Sequence, residues 1–133
     1  MWTKGAVNEI AGSTFNNRVI FDSTVGTIKK SAKNRTTFNG TVEANGTVET
    51  VSGSDFNNTA TFAKAVNNVE DSTFNDTVTF TKGATNIIHS DFNDTITANG
   101  SIGRIETSTF AKDATFGYCS TFIIYRVFMG KYI

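Results

Sequence analysis

The sequence predicts an all-β fold, a three-sided β-solenoid built from coils of 18 residues. The first observation behind this prediction is a repeat of near-identical phrases, such as SDFNNTATF (54–62), STFNDTVTF (72–80) and SDFNDTITA (90–98). The second is that phenylalanines recur every 18 residues, at Phe38, Phe56, Phe74, Phe92, Phe110 and Phe128. The third is that apolar residues alternate with polar ones, and no sustained helical spacing is present.

The coils are counted from two residues before each phenylalanine. They span 36–53, 54–71, 72–89, 90–107 and 108–125, and an earlier coil spans 13–30. Segment 31–35, SAKNR, is an insertion, residues 1–12 match the last part of a coil, and 126–133 begin another. We interpret residues 1–133 as one solenoid domain whose C-terminal coil, 116–133, diverges from the repeat.

Five positions of each coil are predicted to form the core: 3, 7, 9, 13 and 16. A single coil cannot bury its apolar side chains, but stacked coils share a continuous core. We therefore expect three short strands per coil and about 4.8 Å between coils. A left-handed helix of three hexapeptides also has 18 residues per turn. The three sides are not equivalent here, which favours the right-handed form.

The corners are predicted from coil positions 4 and 5, which are rich in Asn, Asp and Gly. These residue types tolerate left-handed backbone and bend the polypeptide. Stacked asparagines at position 4 are also expected to hydrogen-bond along the axis as a ladder. Asn45-Gly46 and Asn99-Gly100 mark a second corner.

Composition narrows the possible partners and locations. Twelve basic and twelve acidic residues cancel, so no net field favours nucleic acid. The sequence has neither a long apolar segment nor a signal peptide, so we expect a cytoplasmic protein. Membrane contact through the basic segment 28–35 remains an alternative, although such loops are usually just solvated.

No residues form a recognisable catalytic, cofactor or metal site. Asp76 and Asp94 occupy equivalent positions of neighbouring coils, but no third and fourth oxygen ligand converges on them. His89 and Cys119 lack partners in phase for zinc binding or for a nucleophile dyad. We therefore expect a protein that is not an enzyme and that uses no cofactor or metal.

Asn-x-Thr triplets recur along the sequence, and they match glycosylation acceptors. A turn asparagine followed by a strand-starting threonine creates the same triplet, which is the interpretation we favour. The triplets begin at Asn34, Asn39, Asn45, Asn57, Asn75 and Asn93.

A column of Thr-x-Thr resembles the ice-binding face of insect antifreeze solenoids. The resemblance implies an outward lattice of threonine side chains able to order water. The simpler interpretation is that β-branched threonine suits an exposed strand. The candidate residues are Thr59, Thr61, Thr77, Thr79, Thr95 and Thr97.

The two ends suggest self-association. The sequence starts in the middle of a coil and finishes in an apolar, aromatic segment, whereas solenoid ends generally need polar caps. Such ends associate, belong to a longer solenoid, or are covered by a fold-back. The candidate self-association residues are Phe122, Ile124, Phe128 and Ile133.

The phrase FNGTVEANGTVETV (38–51), echoed by FNDTITANGSIGRI (92–105), is similar to the repeat of bactofilins. That resemblance implies a right-handed triangular β-helix that polymerises end to end, without nucleotide, into cytoplasmic filaments often associated with the inner membrane. The sequence departs from the pattern by using Phe at position 3 and by often replacing Gly with Asn or Asp. Our leading hypothesis is a structural, self-associating homo-oligomer; ice binding and a piece of a phage fibre or surface adhesin are the alternatives.

Overall fold

The computed structural model describes residues 1–123. All regular structure in this part of the protein is β, and every strand pair is parallel. The strands are β1 (Trp2–Thr3), β2 (Val7–Ala11), β3 (Thr14–Phe15), β4 (Val19–Phe21), β5 (Val25–Lys29), β6 (Thr36–Phe38), β7 (Val42–Ala44), β8 (Val48–Ser52), β9 (Ser54–Phe56), β10 (Ala60–Phe62), β11 (Val66–Glu70), β12 (Thr73–Phe74), β13 (Val78–Phe80), β14 (Ala84–Ile88), β15 (Asp91–Phe92), β16 (Ile96–Glu106), β17 (Thr109–Phe110) and β18 (Ala114–Ile123).

The strands stack into three faces. Face 1 holds coil positions 1–3 and runs β3-β6-β9-β12-β15-β17. Face 2 (positions 7–9) runs β1-β4-β7-β10-β13, and face 3 (positions 13–17) runs β2-β5-β8-β11-β14. Both reach β16, which passes round the corner between them without a break. The predicted β-solenoid of stacked 18-residue coils is confirmed, and its right-handed sense stays a prediction.

The core contains the predicted columns. In the described coils, positions 3, 7, 9, 13 and 16 are buried, apart from the exposed Met1 and a few partly buried residues at the N-terminal end. The phenylalanines of position 3 form a stack from Phe15 to Phe110, with ring centroids 4.7 to 5.2 Å apart and planes within 15°. Phe62 and Phe80 of position 9 contact this stack edge-on, at 6.0 and 6.1 Å. Both geometries are favourable for aromatic pairs.

Most of the left-handed backbone lies at a different corner from the predicted ones; among the described residues the exception is Gly83 at position 12, with φ of +82°. Among the described residues, the non-glycine residues with positive φ are Asp71, His89 and Thr107, at +48°, +49° and +49°. They occupy coil position 18, where Gly12 and Gly53 also have positive φ. The expectation of left-handed backbone at positions 4 and 5 is therefore wrong. At position 5, Asn58, Asp76 and Asp94 act through their side chains instead, each accepting a hydrogen bond from the next backbone N–H.

A column of buried hydroxyl groups follows this corner. Position 1 is Thr36, Ser54, Ser72, Ser90 and Ser108, all almost fully buried. The Ser72 hydroxyl donates to the Glu70 carbonyl at 2.8 Å and accepts from the Ser54 N–H at 3.3 Å. Ser90 repeats the pattern one coil later. Each hydroxyl thus satisfies backbone groups that turn inward at the corner, which buried polar groups require.

The insertion 31–35 interrupts the repeat without breaking the stack. Phe15 still pairs with Phe38 across it, although the two are 23 residues apart rather than 18. The Arg35 side chain extends across the stack to coil 54–71, where its Nε lies 3.0 Å from both Asp55 carboxylate oxygens. Its guanidinium also donates to the carbonyl of Asp71 at 2.8 Å.

The last described coil turns its second corner with one residue fewer than predicted. Ala98 pairs with Phe116, but Ser101 pairs with Tyr118, so β18 has one residue where β16 has two. Gly117 occupies this short corner, where an added Cβ would lie 2.8 Å from the Asn99 carbonyl oxygen. The predicted phase is therefore wrong beyond this point: Cys119 takes the register of Ile102, and Phe122 that of Ile105.

Candidate functional site

The predicted threonine column is a continuous feature of face 2. Position 8 side chains point outward, because positions 7 and 9 on either side are buried. Thr61 pairs with Thr79, Thr79 with Thr97, and Thr97 with Thr115. In this last rung Asp113 replaces the threonine of position 6, so the Thr-x-Thr pattern is broken there, but Thr115 continues the outer column. We call these four residues, with Thr59, Thr77 and Thr95 of position 6, the threonine face.

Backbone bonds hold the threonine face in register. The carbonyls of Thr77 and Thr95 each accept a hydrogen bond from the coil before, at 3.1 Å. The N–H groups of the same threonines donate to Asp76 Oδ1 and Asp94 Oδ1 at 2.6 and 2.7 Å. Two of the N-terminal rungs lack the threonine pattern, since Ile20 and Glu43 occupy position 8 there. The Arg18 guanidinium also forms a salt bridge with Glu43.

The predicted asparagine ladder is present at position 4. Each amide Nδ2 donates to the Oδ1 of the asparagine one coil before it. The bonds run from Asn93 to Asn75, Asn57, Asn39 and Asn16, with lengths of 2.7, 2.7, 2.9 and 2.8 Å. Four of the six Asn-x-Thr triplets begin in this ladder, and the Asn45 amide of a fifth donates to Asp22 at 2.9 Å. These triplets therefore have a structural explanation in the corners of the solenoid.

The N-terminal edge consists of β1, β2 and β3. Within the described residues, each of these strands has a hydrogen-bonded neighbour on one side only. Phe15, the first ring of the stack, is only partly buried, and it borders a hollow of about 250 Å³. The hollow is lined by Met1, Thr14, Phe15, Asn16, Asn17 and Val19.

Trp2 and Asp22 anchor β1 at this edge. Trp2 is 61% exposed, its indole N–H donates to Asp22, and the Lys4 ammonium lies 4.8 Å from its ring centroid. Hydrogen bonds from Asn45 and then from Trp2 hold the pKa of Asp22 below its ordinary value of 3.8, since both favour the charged carboxylate.

The C-terminal candidates for self-association fall at or beyond the end of the described residues. Phe122 lies in β18, and its backbone takes the register of the core residue Ile105. Ile124, Phe128 and Ile133 lie outside the described residues. Of the first and last coils of the sequence, the structure therefore describes the first one in detail.

The acidic and histidine candidates remain separate from one another. Asp94 faces Lys112 at 3.7 Å, and His89 Nδ1 lies 3.9 Å from Asp71. Over residues 1–123, no three His, Cys, Asp or Glu side chains converge to hold a metal ion. The same part of the protein holds no helix with the length and apolar character needed to cross a membrane.

Comparison of the sequence with known protein families, curated proteins and solved structures finds no match. The structure supports the generic solenoid arrangement that bactofilins share with other repeat proteins. A specific relation to bactofilins stays a prediction.

Proposed function

We propose that this protein is a structural β-solenoid that self-associates end to end. The observation that carries the proposal is the N-terminal edge, where three strand edges and the end of a phenylalanine stack lie together. Unpaired strand edges are templates for further strands. A neighbouring coil placed there would extend all three faces and cover Phe15.

The N-terminal edge has only part of the protection that edge strands usually carry. Proteins protect edge strands with proline, bulges, charged side chains or very short strands, and β1 and β3 are two residues long. The sequence has no proline, and Glu9 of β2 is paired with Lys29 at 3.4 Å. A ring stacked on the free side of Phe15 would contribute about 0.5–1.5 kcal/mol beyond its buried area. The filament form, the homo-oligomeric partner and the cytoplasmic location implied by the bactofilin resemblance belong to this proposal.

Sedimentation velocity and negative-stain electron microscopy test it on the same sample. We expect a ladder of oligomers or filaments from the wild-type protein. The double variant Thr14→Lys with Asn17→Lys places two cations on exposed positions at the rim of the hollow. Because these charges would be desolvated on contact, we expect a shift toward monomer with an unchanged circular dichroism spectrum.

The matched control places the same two charges on a lateral face. Asn67 and Thr85 are exposed on face 3, away from the N-terminal edge. Lysine at both should leave the oligomer distribution unchanged. A wild-type protein that sediments as a monomer at all concentrations rules out the proposal.

Ice binding is the second candidate, favoured by the four in-register threonines of position 8. Adjacent rungs are spaced by about 4.8 Å, so their hydroxyl groups form a regular row. Wild-type protein should then inhibit ice recrystallisation, and Thr79→Tyr should abolish the effect while Thr85→Tyr on face 3 retains it. Wild-type protein without any effect on ice ends this candidate.

A further inference from the structure

The sequence has three Asn-Gly dipeptides: Asn39-Gly40, Asn45-Gly46 and Asn99-Gly100. Glycine has no Cβ, so no side chain of its own shields its backbone nitrogen. That nitrogen can attack the side-chain amide carbon of the preceding asparagine. Because the dipeptide occurs three times in one protein, any difference in its reactivity would come from the surroundings of each copy.

Two of the three asparagines are held by hydrogen bonds. Asn39 is inside the ladder, donating to Asn16 at 2.8 Å and accepting from Asn57 at 2.9 Å. Asn45 donates to the Asp22 carboxylate at 2.9 Å, a charge-assisted bond. Rotation of either side chain toward the next backbone nitrogen has to break these bonds.

Asn99 is different, although it occupies the same coil position as Asn45. It is exposed, and its side chain makes no hydrogen bond within the described part of the protein. Its backbone also lies between segments of the strand ladders. Register pairs with β13 end at Ala98, those with β14 begin at Ile102, and those with β18 skip from Ala98 to Ser101.

We propose that Asn99 is a site of spontaneous deamidation that acts on the pairing of the last described coil. The Gly100 nitrogen loses its proton and bonds to Cγ of Asn99, and the bond from Cγ to Nδ2 breaks to release ammonia. Water then opens the resulting five-membered imide at one of its two carbonyls. The product at position 99 is aspartate or isoaspartate, the latter with one more carbon in the backbone.

The consequence follows from what packs on this dipeptide. An added Cβ on Gly117 would lie 2.8 Å from the Asn99 carbonyl oxygen and 3.0 Å from that of Gly100. The backbones of β16 and β18 therefore approach closely where β18 is one residue short. A longer backbone and a new negative charge at this point disturb the pairing of β18 more than the pairing elsewhere in the stack.

The test is peptide mapping by tandem mass spectrometry of the native full-length protein, incubated at mildly alkaline pH and physiological temperature. Asn99 should deamidate at least about fivefold faster than Asn39 or Asn45, the factor that one hydrogen bond of ordinary net strength imposes. Ageing should increase the rate of hydrogen exchange in β18 more than it does in β11. Equal rates at the three native sites overturn the proposed site, and unchanged exchange in β18 overturns its consequence.

Two controls separate structure from local sequence. In denaturant the three sites should react at similar rates; a persistent lead for Asn99 there would show that neighbouring residues, not the fold, set the order. Asp22→Ala frees the Asn45 amide, so its rate should rise toward that of Asn99. Asn99→Gln should remove the site, keep the β18 exchange slow on ageing and leave the other two rates unchanged.

Discussion

Single residues in the position 18 column adopt backbone that most side chains avoid. Glycine reaches positive φ at no steric cost, and Asp tolerates it. Thr107 is β-branched and has φ of +49°, which makes it the least suited of the described residues in this column. It remains there because the strands on both sides are fixed by the stack.

Replacing Thr107 with glycine should therefore stabilise the protein. Relief of the left-handed strain is worth about 1–2 kcal/mol, and the greater freedom of glycine in the unfolded state offsets about 0.4–1 kcal/mol of it. We expect a net gain of about 0.5–1 kcal/mol in the free energy of unfolding, measured with urea. Thr85→Gly, in the middle of β14, should instead lose about 0.5–1 kcal/mol. A loss of stability in both variants would contradict the strain at position 107.

At the scale of the strand, one side-chain anchor adds to the backbone hydrogen bonds that hold β1 on β4. The Asp22 carboxylate joins β4's end to Trp2 and to Asn45 of the next coil. Both hydrogen bonds favour its charged form, so its pKa in the folded protein lies below 3.8. The stability that it adds is fully present above its unfolded pKa, and it is lost as the pH falls through the lower, folded pKa.

The fluorescence of Trp2, the single tryptophan of the protein, should report this loss. We expect a change on acidification whose midpoint lies below pH 3.8, as the carboxylate that accepts the indole N–H bond is protonated and the edge of β1 loosens. Asp22→Asn keeps the shape but removes the titrating group, so the transition should disappear in this variant. A midpoint at or above 3.8, or a transition that survives in Asp22→Asn, would show that another group controls β1.

Sequence reasoning predicted the strands of this solenoid better than its corners. Phe, Val and Ile repeat with the strand period, so the core columns could be predicted from residue types alone. The asparagine ladder could be predicted because Asn recurs at position 4 of successive coils. The column of left-handed residues at position 18 could not be predicted in this way, because its members are of different residue types: Gly53, Asp71, His89 and Thr107. The serines of position 1 were not predicted to be buried, because serine is usually a surface residue. Their burial depends on hydrogen bonds from their hydroxyl groups to backbone carbonyls at the corner.

The candidate surfaces divide in the same way. The threonine column was visible as an alternation, and the spacing of 18 residues already places Thr115 in line with Thr97, as the pairing confirms. The single-residue slip at Gly117 was hidden because Phe128 restores an apparent spacing of 18 from Phe110. The three Asn-Gly dipeptides are identical in sequence and are distinguished only by what surrounds each amide.

At the scale of the whole molecule, each coil contacts only its neighbours, so stability is close to a sum over coils and interfaces. In the phenylalanine stack, the loss of stability on replacing a ring should depend on how many neighbouring rings it contacts. Phe74 is about 1% exposed and has rings on both sides, so Phe74→Ala should lose about 3–5 kcal/mol in the free energy of unfolding. A loss below about 1 kcal/mol would contradict its place in the core.

Phe15 provides the matched comparison at the N-terminal edge. It stacks on one side only, on Phe38, and is partly exposed, so Phe15→Ala should cost clearly less than Phe74→Ala in dilute protein. If a second copy covers this edge, stability becomes dependent on protein concentration, because association stabilises the folded form by mass action. The cost of Phe15→Ala should then rise with concentration while that of Phe74→Ala stays constant. Urea titrations at widely spaced concentrations measure this difference, and parallel behaviour of the two variants would argue that the edge has no partner in solution.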